Sequence, residues 1–183
     1  FNPTTMGAKV GTLMVTATPG GSASAALSGT GLMPGTLTIS PPSRDYGPLP
    51  QGDTTGTPFV FTVANTGGAS TGTLATALTG GGSDQFGITT NGCMGMVLAS
   101  QATCAIAVRF APTSAGAKSA SLTVTGTPGG SAATSLNGMG LAPAMLAIAP
   151  TTQNYGNVVT TDNSTATLTV TNAGGVMSGT PSV

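Results

Sequence analysis

The sequence predicts an all-β chain built from tandem two-sheet antiparallel sandwiches. Three observations carry that prediction: a composition suited to pleated sheets, short period-two apolar runs bounded by turn residues, and an internal repeat of about 109 residues. Among 183 residues there are 34 Thr, 29 Gly, 16 Ser and 13 Pro, with no Glu, His or Trp. Thr suits a strand because its branched Cβ restricts χ1. The absence of Glu and near-absence of Lys removes the usual surface residues of helices. Disorder needs low hydrophobicity with high net charge, whereas 39% of this chain is hydrophobic and its net charge is zero.

The repeat sets the organisation. Residues 1–47 align with 110–156 at a constant offset of 109, with 25 of 47 positions identical. The run Thr18-Pro19-Gly20-Gly21-Ser22-Ala23 recurs as Thr127-Pro128-Gly129-Gly130-Ser131-Ala132. After a two-residue deletion the offset becomes 107, pairing Asn65-Thr66-Gly67-Gly68 with Asn172-Ala173-Gly174-Gly175. The expected domains are the C-terminal part of one repeat (1–33), a complete repeat (34–142) and the N-terminal part of the next (143–183). Residues 77–109 have no counterpart. The expectation is a window onto a longer array; the alternative is a processed protomer whose incomplete ends are completed by neighbours.

Within the unit, the elements follow in order. Leu37 and Ile39, recurring as Leu146 and Ile148, mark the first strand. Phe59, Phe61 and Val63 then alternate with Val60, Thr62 and Ala64; Ile106, Val108 and Phe110 with Ala105, Ala107 and Arg109; and Leu122 and Val124 with Ser121, Thr123 and Thr125. Gly, Pro, Asn and Ser bound these runs, as turns require. About seven short strands per unit describe a sandwich, and no helical period persists for three turns. The core is light: Phe59, Phe61, Phe86, Phe110, Leu98 and Leu122, with many Ala and Val. The linkers at 32–35 and 141–144 are short and contain Pro34 and Pro143, which restricts hinge motion and predicts a semi-rigid rod.

Cys93 and Cys104 enclose ten residues between two predicted strands. That spacing is wrong for metal knuckles and redox motifs. A disulfide closing the loop would add about 3 kcal/mol in the chain-entropy model and imply an oxidising compartment; two free buried thiols are the alternative.

Composition excludes several classes of function. Four scattered cations, Lys9, Arg44, Arg109 and Lys118, cannot neutralise a phosphate backbone, so no nucleic-acid partner is expected. Without His, the usual triads and acid–base pairs lose their commonest member, and zinc has too few ligands. Asp45, Asp53 and Asp84 are isolated, unlike the clustered carboxylates that calcium takes. Gly80-Gly81-Gly82-Ser83 lacks the Lys-Ser/Thr ending of a phosphate loop and reads as a strand connection. The expectation is therefore no enzyme, no cofactor and no metal. The apolar stretch Met139 to Pro150 is too short and broken to span a bilayer, and no leader-like pattern of a basic start and an apolar run is visible. Asn163-Ser164-Thr165 is the sole N-glycosylation sequon, and it also reads as a solvated turn. Tyr46 and Tyr155 are equivalent and read as packing at a strand start, with sugar stacking as the alternative. Met94 and Met96 read as part of a loop tucked over the core, with a contact surface as the alternative.

The chain resembles the bacterial choice-of-anchor D repeats, relatives of the Hydin-type (ASH) domains. The residues that carry the resemblance are Leu37-Thr38-Ile39-Ser40-Pro41 with Asp45-Tyr46-Gly47, then Phe61-Thr62-Val63-Ala64-Asn65-Thr66-Gly67, then Cys93-Met94-Gly95, Cys104 to Thr113, and Gly138-Met139-Gly140. The resemblance implies tandem immunoglobulin-like antiparallel β-sandwich repeats on large secreted or surface-attached proteins; it implies no catalytic residues and names no ligand. Few charges mean little repulsion between copies and few Lys to protect sheet edges. The leading expectation is a structural protein, an extracellular or cell-surface filament or stalk whose partner is itself. The alternatives are an adhesin-type module binding a surface glycan or protein, and spacer domains of a larger secreted protein.

Overall fold

A computed structural model describes residues 1–182. Twelve strands follow in chain order: β1 (Gly7–Ala17), β2 (Gly21–Gly31), β3 (Leu37–Ser40), β4 (Ser43–Pro50), β5 (Phe59–Asn65), β6 (Ala75–Thr79), β7 (Phe86–Asn91), β8 (Thr103–Phe110), β9 (Gly116–Gly126), β10 (Gly130–Leu141), β11 (Leu146–Ala149) and β12 (Thr169–Asn172). The helical content among the described residues is one 3-10 turn, Ser83–Gln85.

Strands β3 to β10 form a sandwich of two four-stranded sheets, ordered β4-β10-β9-β6 and β3-β5-β8-β7. It is an immunoglobulin-like β-sandwich. The pairings are antiparallel with one exception, since β4 lies parallel to β10. That exception follows from Ser40-Pro41-Pro42-Ser43, which ends β3 in one sheet and delivers β4 to the other. Pro42 cannot donate to a ladder, but its carbonyl accepts from Ser135 N at 3.1 Å.

The period-two pattern does the packing. Phe61, Val63, Ile106 and Val108 point inward from β5 and β8 against Leu122, Val124 and Leu136 of β9 and β10, all fully buried. Burying each such side chain contributes about 1.5–3 kcal/mol. Phe59, expected in the core, is half-buried and sits edge-on to Phe61 at 5.0 Å. Phe86, Phe110 and Tyr46 make an aromatic trio with centroids 5.0 to 6.1 Å apart.

The end segments repeat parts of this sandwich. The β1–β2 hairpin pairs Gly7 with Gly31 through Ala17 with Gly21, and β9–β10 pairs Gly116 with Gly140 through Gly126 with Gly130. Each partner is displaced by 109 residues, so the two hairpins share one register. Likewise β11 pairs with β12 from Leu146–Asn172 onward, as β3 does with β5 from Leu37–Asn65. Both end pairs are two-stranded sheets.

Candidate functional site

The most constrained polar structure lies where the linker meets the sandwich. Asn65 ends β5 and is buried. Its Oδ1 accepts from Thr36 N (2.9 Å) and Gly67 N (3.0 Å); its Nδ2 donates to the carbonyls of Ala69 (2.8 Å), Leu98 and Ala99 (3.1 Å each). Around this hub Thr66 N donates to Thr36 O (2.8 Å) and Gly68 N to Met33 O (3.1 Å). A Cβ on Gly67 would fall onto the Pro34 carbonyl, so this contact admits only glycine. The linker 33–36 is thereby clamped to the 65–68 turn.

The same bonding pattern recurs around Asn172, where residues 142–145 meet the 172–175 turn. Asn172 Oδ1 accepts from Met145 N (3.0 Å) and Gly174 N (2.9 Å), and its Nδ2 donates to Val176 O (2.8 Å). Ala173 N donates to Met145 O and Gly175 N to Ala142 O, while Gly174 approaches the Pro143 carbonyl. Asn65 and Asn172 were visible in the sequence only as members of an aligned Asn-x-Gly-Gly. The signal that could have singled them out is an Asn in place of an apolar residue at the end of an inward-facing alternation.

A disulfide joins Cys93 to Cys104, with Cα atoms 5.3 Å apart. It ties the loop after β7 to β8, beside buried Leu98. The backbone of that loop is held by Leu74 N to Met96 O (2.8 Å) and Gly95 N to Leu74 O (2.9 Å). Its Met94, Met96 and Val97 side chains nevertheless stand in solvent as an apolar patch, unlike the tucked-in loop expected from sequence.

The acidic residues are scattered among turns. Asp45 accepts from Gly47 N (2.8 Å), Asp84 from Gln85 Nε2 (2.7 Å), and Asp53 from both the hydroxyl and the N–H of Thr55 (2.7 Å each). The Thr55 hydroxyl, then its N–H, hold the Asp53 carboxyl below the usual carboxylate range. No group of three His, Cys, Asp or Glu able to hold a metal occurs among the described residues. Gly80 to Ser83 form the turn into the 3-10 segment, with Gly82 N donating to Ser119 O at 3.0 Å. Asn163 is exposed in a stretch outside the strands.

Tyr46 is locked in place. Its hydroxyl donates to Val108 O (2.9 Å), and burial pushes its pKa up to about 12, opposed by the nearby Arg44 guanidinium. Arg44 lies 4.5 Å over the Phe59 ring and 5.6 Å from that of Tyr46. Tyr155, its counterpart, is about half-exposed and lies outside any strand. No helix among the described residues is long and apolar enough to cross a membrane.

No protein-family model matches the sequence, nor does any curated protein sequence. Solved structures similar to this chain include the secreted serine protease VesC from Vibrio cholerae, at 24% identity, 59% of this chain, 24% of that one and a TM-score of 0.43. The ASH/PapD-like domain 7 of human CEP192 is similar at 14% identity, 57% of this chain, 84% of that one and a TM-score of 0.42. A chaperone–tip adhesin complex of CFA/I fimbriae biogenesis is similar at 12% identity, 76% of this chain, 67% of that one and a TM-score of 0.40. The chain spans about a quarter of the length of the VesC structure.

Proposed function

We propose that this chain is a structural module: tandem immunoglobulin-like sandwiches, held in series by fixed linkers, that build a filament or stalk outside the cell through self-association. The observation that carries this reading is the linker clamp, built with the same hydrogen bonds around Asn65 and around Asn172. A linker bonded at both Met33 and Thr36 cannot swing, so each sandwich hands the next the same orientation. Repetition of one fixed step generates a regular rod. The choice-of-anchor D resemblance supports the tandem, and the Cys93–Cys104 disulfide supports an oxidising compartment, hence an extracellular or cell-surface location.

Charge supports the self-association. Lys9 Nζ donates to Thr5 Oγ1 (2.7 Å) and Met6 O; Lys118 Nζ donates to Ser114 Oγ (2.7 Å) and Ala115 O. The two lysines thus serve their own turns and Arg44 lies over the Phe59 ring, and a chain of zero net charge offers little repulsion between copies. Electron microscopy and light scattering of the purified chain test the proposal. Rods or laterally associated particles are expected; dispersed monomers with freely bending linkers would overturn it.

The exposed Met94, Met96 and Val97, anchored by the disulfide, favour one second reading. In it the chain is an adhesin-type module that presents this loop to a surface glycan or protein. Binding to a glycan array or to cells, lost in Met94→Ser/Met96→Ser, would support it.

A further inference from the structure

A cavity inside the β3–β10 sandwich plays no part in the clamp, the disulfide or the exposed loop. It measures about 220 Å³ and is lined by Arg44, Tyr46 and Leu49 of β4, by Gly56 and Thr57 of the connection that follows, and by Phe110 of β8. Pockets for drug-sized ligands run from about 300 to 1,000 Å³, so this one suits a single small ring.

Arg44 and Tyr46 stand two residues apart on β4 and share a face. The Arg44 guanidinium lies 4.5 Å over the Phe59 ring and 5.6 Å from that of Tyr46, which is itself fixed by the bond from its hydroxyl to Val108 O. A guanidinium laid against rings uses its faces there and keeps its in-plane N–H edges for other partners. No carboxylate of the described residues takes those edges: Asp45 accepts from Gly47 N, and Asp53 from Thr55. A second cation stands close by. A Cβ on Gly56 would come 3.8 Å from Cγ of Arg109, whose buried Nε has no hydrogen-bond partner. Two arginines therefore adjoin the Gly56–Thr57 wall, and the chain supplies neither with a counter-charge.

This arrangement belongs to the one sandwich and not to the repeat pattern. At the offset of 109 Arg44 aligns with Gln153, and at the offset of 107 Phe59 aligns with Ala166, whereas Tyr46 recurs as Tyr155. The cation and the ring beneath it are exchanged together, as members of one unit would be.

We propose that the cavity binds a carboxylated sugar, one uronate ring. Its carboxylate takes the in-plane edge of Arg44, a paired fit that a planar guanidinium makes and an ammonium does not. Arg109 adds to the attraction. The Thr57 hydroxyl meets a sugar hydroxyl, and Leu49 with the Tyr46 ring faces the apolar side of the sugar. The acidic side chain of a protein would bring flanking backbone that a cavity of this size leaves outside. The site is independent of the self-association read above.

The test is an NMR titration of the full 183-residue chain with glucuronate, with glucose, and with an aspartate blocked at both backbone ends. Glucuronate should give saturable amide shifts at Arg44, Tyr46 and Thr57, and glucose should give none. Arg44→Gln, which installs the residue found at Gln153, should weaken glucuronate at least about tenfold. Arg44→Lys should weaken it as well, since charge is kept and the planar edge is lost. Thr57→Val, which leaves Arg44 and both rings in place, should weaken it less, and melting temperatures confirm that each variant is folded. Undiminished binding by Arg44→Gln or Arg44→Lys overturns the assignment of the carboxylate to Arg44. A stronger response to the blocked aspartate than to glucuronate overturns the sugar and makes the cavity a protein contact. No saturable shift with any of the three overturns the site.

Discussion

Replacing Asn65 by Ala measures what the linker clamp contributes. The substitution removes five hydrogen bonds and orphans two backbone N–H groups, those of Thr36 and Gly67. Each unpaired donor costs about 1–3 kcal/mol. Water reaching the exposed Ala99 side of the hub recovers part of this, which leaves a loss of about 3–5 kcal/mol by the same scale. At about 4–8 °C per kcal/mol for a domain near 100 residues, the melting temperature should fall by more than about 10 °C. Asn172→Ala is the internal comparison. It makes three of the corresponding bonds from an exposed position, where water replaces them, so its cost should stay below about 1 kcal/mol. Asn65→Asp separates donor from acceptor, since it keeps Oδ1 and turns a second oxygen toward three carbonyls. Asn65→Asp should therefore lose the three bonds that Nδ2 donates while keeping those to Thr36 N and Gly67 N, and melt lower than the unsubstituted chain. Calorimetry on the three variants reads all of this. Equal, small losses for Asn65→Ala and Asn172→Ala would refute the clamp.

Three further outcomes follow from the geometry. Reduction of the disulfide, or Cys93→Ala/Cys104→Ala, should lower the denaturant midpoint by an amount equivalent to about 3 kcal/mol; urea titrations with and without reductant check it. Gly138→Ala sets a Cβ 2.7 Å from the Phe110 ring, which is buried against Phe86, and should cost about 1–3 kcal/mol by overpacking. Gly29→Ala meets the exposed Phe1, which can move aside, and should leave the melting temperature unchanged. Tyr46, with its folded pKa raised to about 12, contributes stability that is intact below its unfolded value near pH 10 and lost as pH climbs through 12. Tyr46→Phe should abolish the late step in the 295 nm titration and flatten that part of the stability profile.

The fold was legible because its signal is local. Phe61, Val63, Ile106, Val108, Leu122 and Val124 announce their inward faces by alternation alone, and all six are buried. β4 was not legible. Ser43–Pro50 holds two prolines, a glycine and a charge pair, and becomes a strand because the edge of β10 is there to receive it. The deciding information is tertiary, since β4 takes its register from β10, some 90 residues later in the chain. The clamp was half legible. The alignment paired Asn65 with Asn172, but nothing local says that a side chain at a strand end will bridge a linker 29 residues earlier and a loop 33 residues later. Met94 and Met96 misled for a related reason: the loop backbone does fold down, through Met96 O and Gly95 N, and these bonds turn the side chains outward.

Much of the polar chemistry of this chain is spent on local bonds, although the buried Nε of Arg109 has no hydrogen-bond partner. Lys118 closes its own loop, Asp45 its own turn and Asn65 its own linker, and the equivalent bonds recur at Lys9, Asn154 and Asn172. Polar groups already satisfied locally are poor instruments for recognising a charged partner. What remains outward is largely hydroxyl, backbone and apolar side chains such as Met94, Met96 and Val97, and recognition on such a surface is by shape and by strand edges. The proposed self-association draws on this same economy of charge.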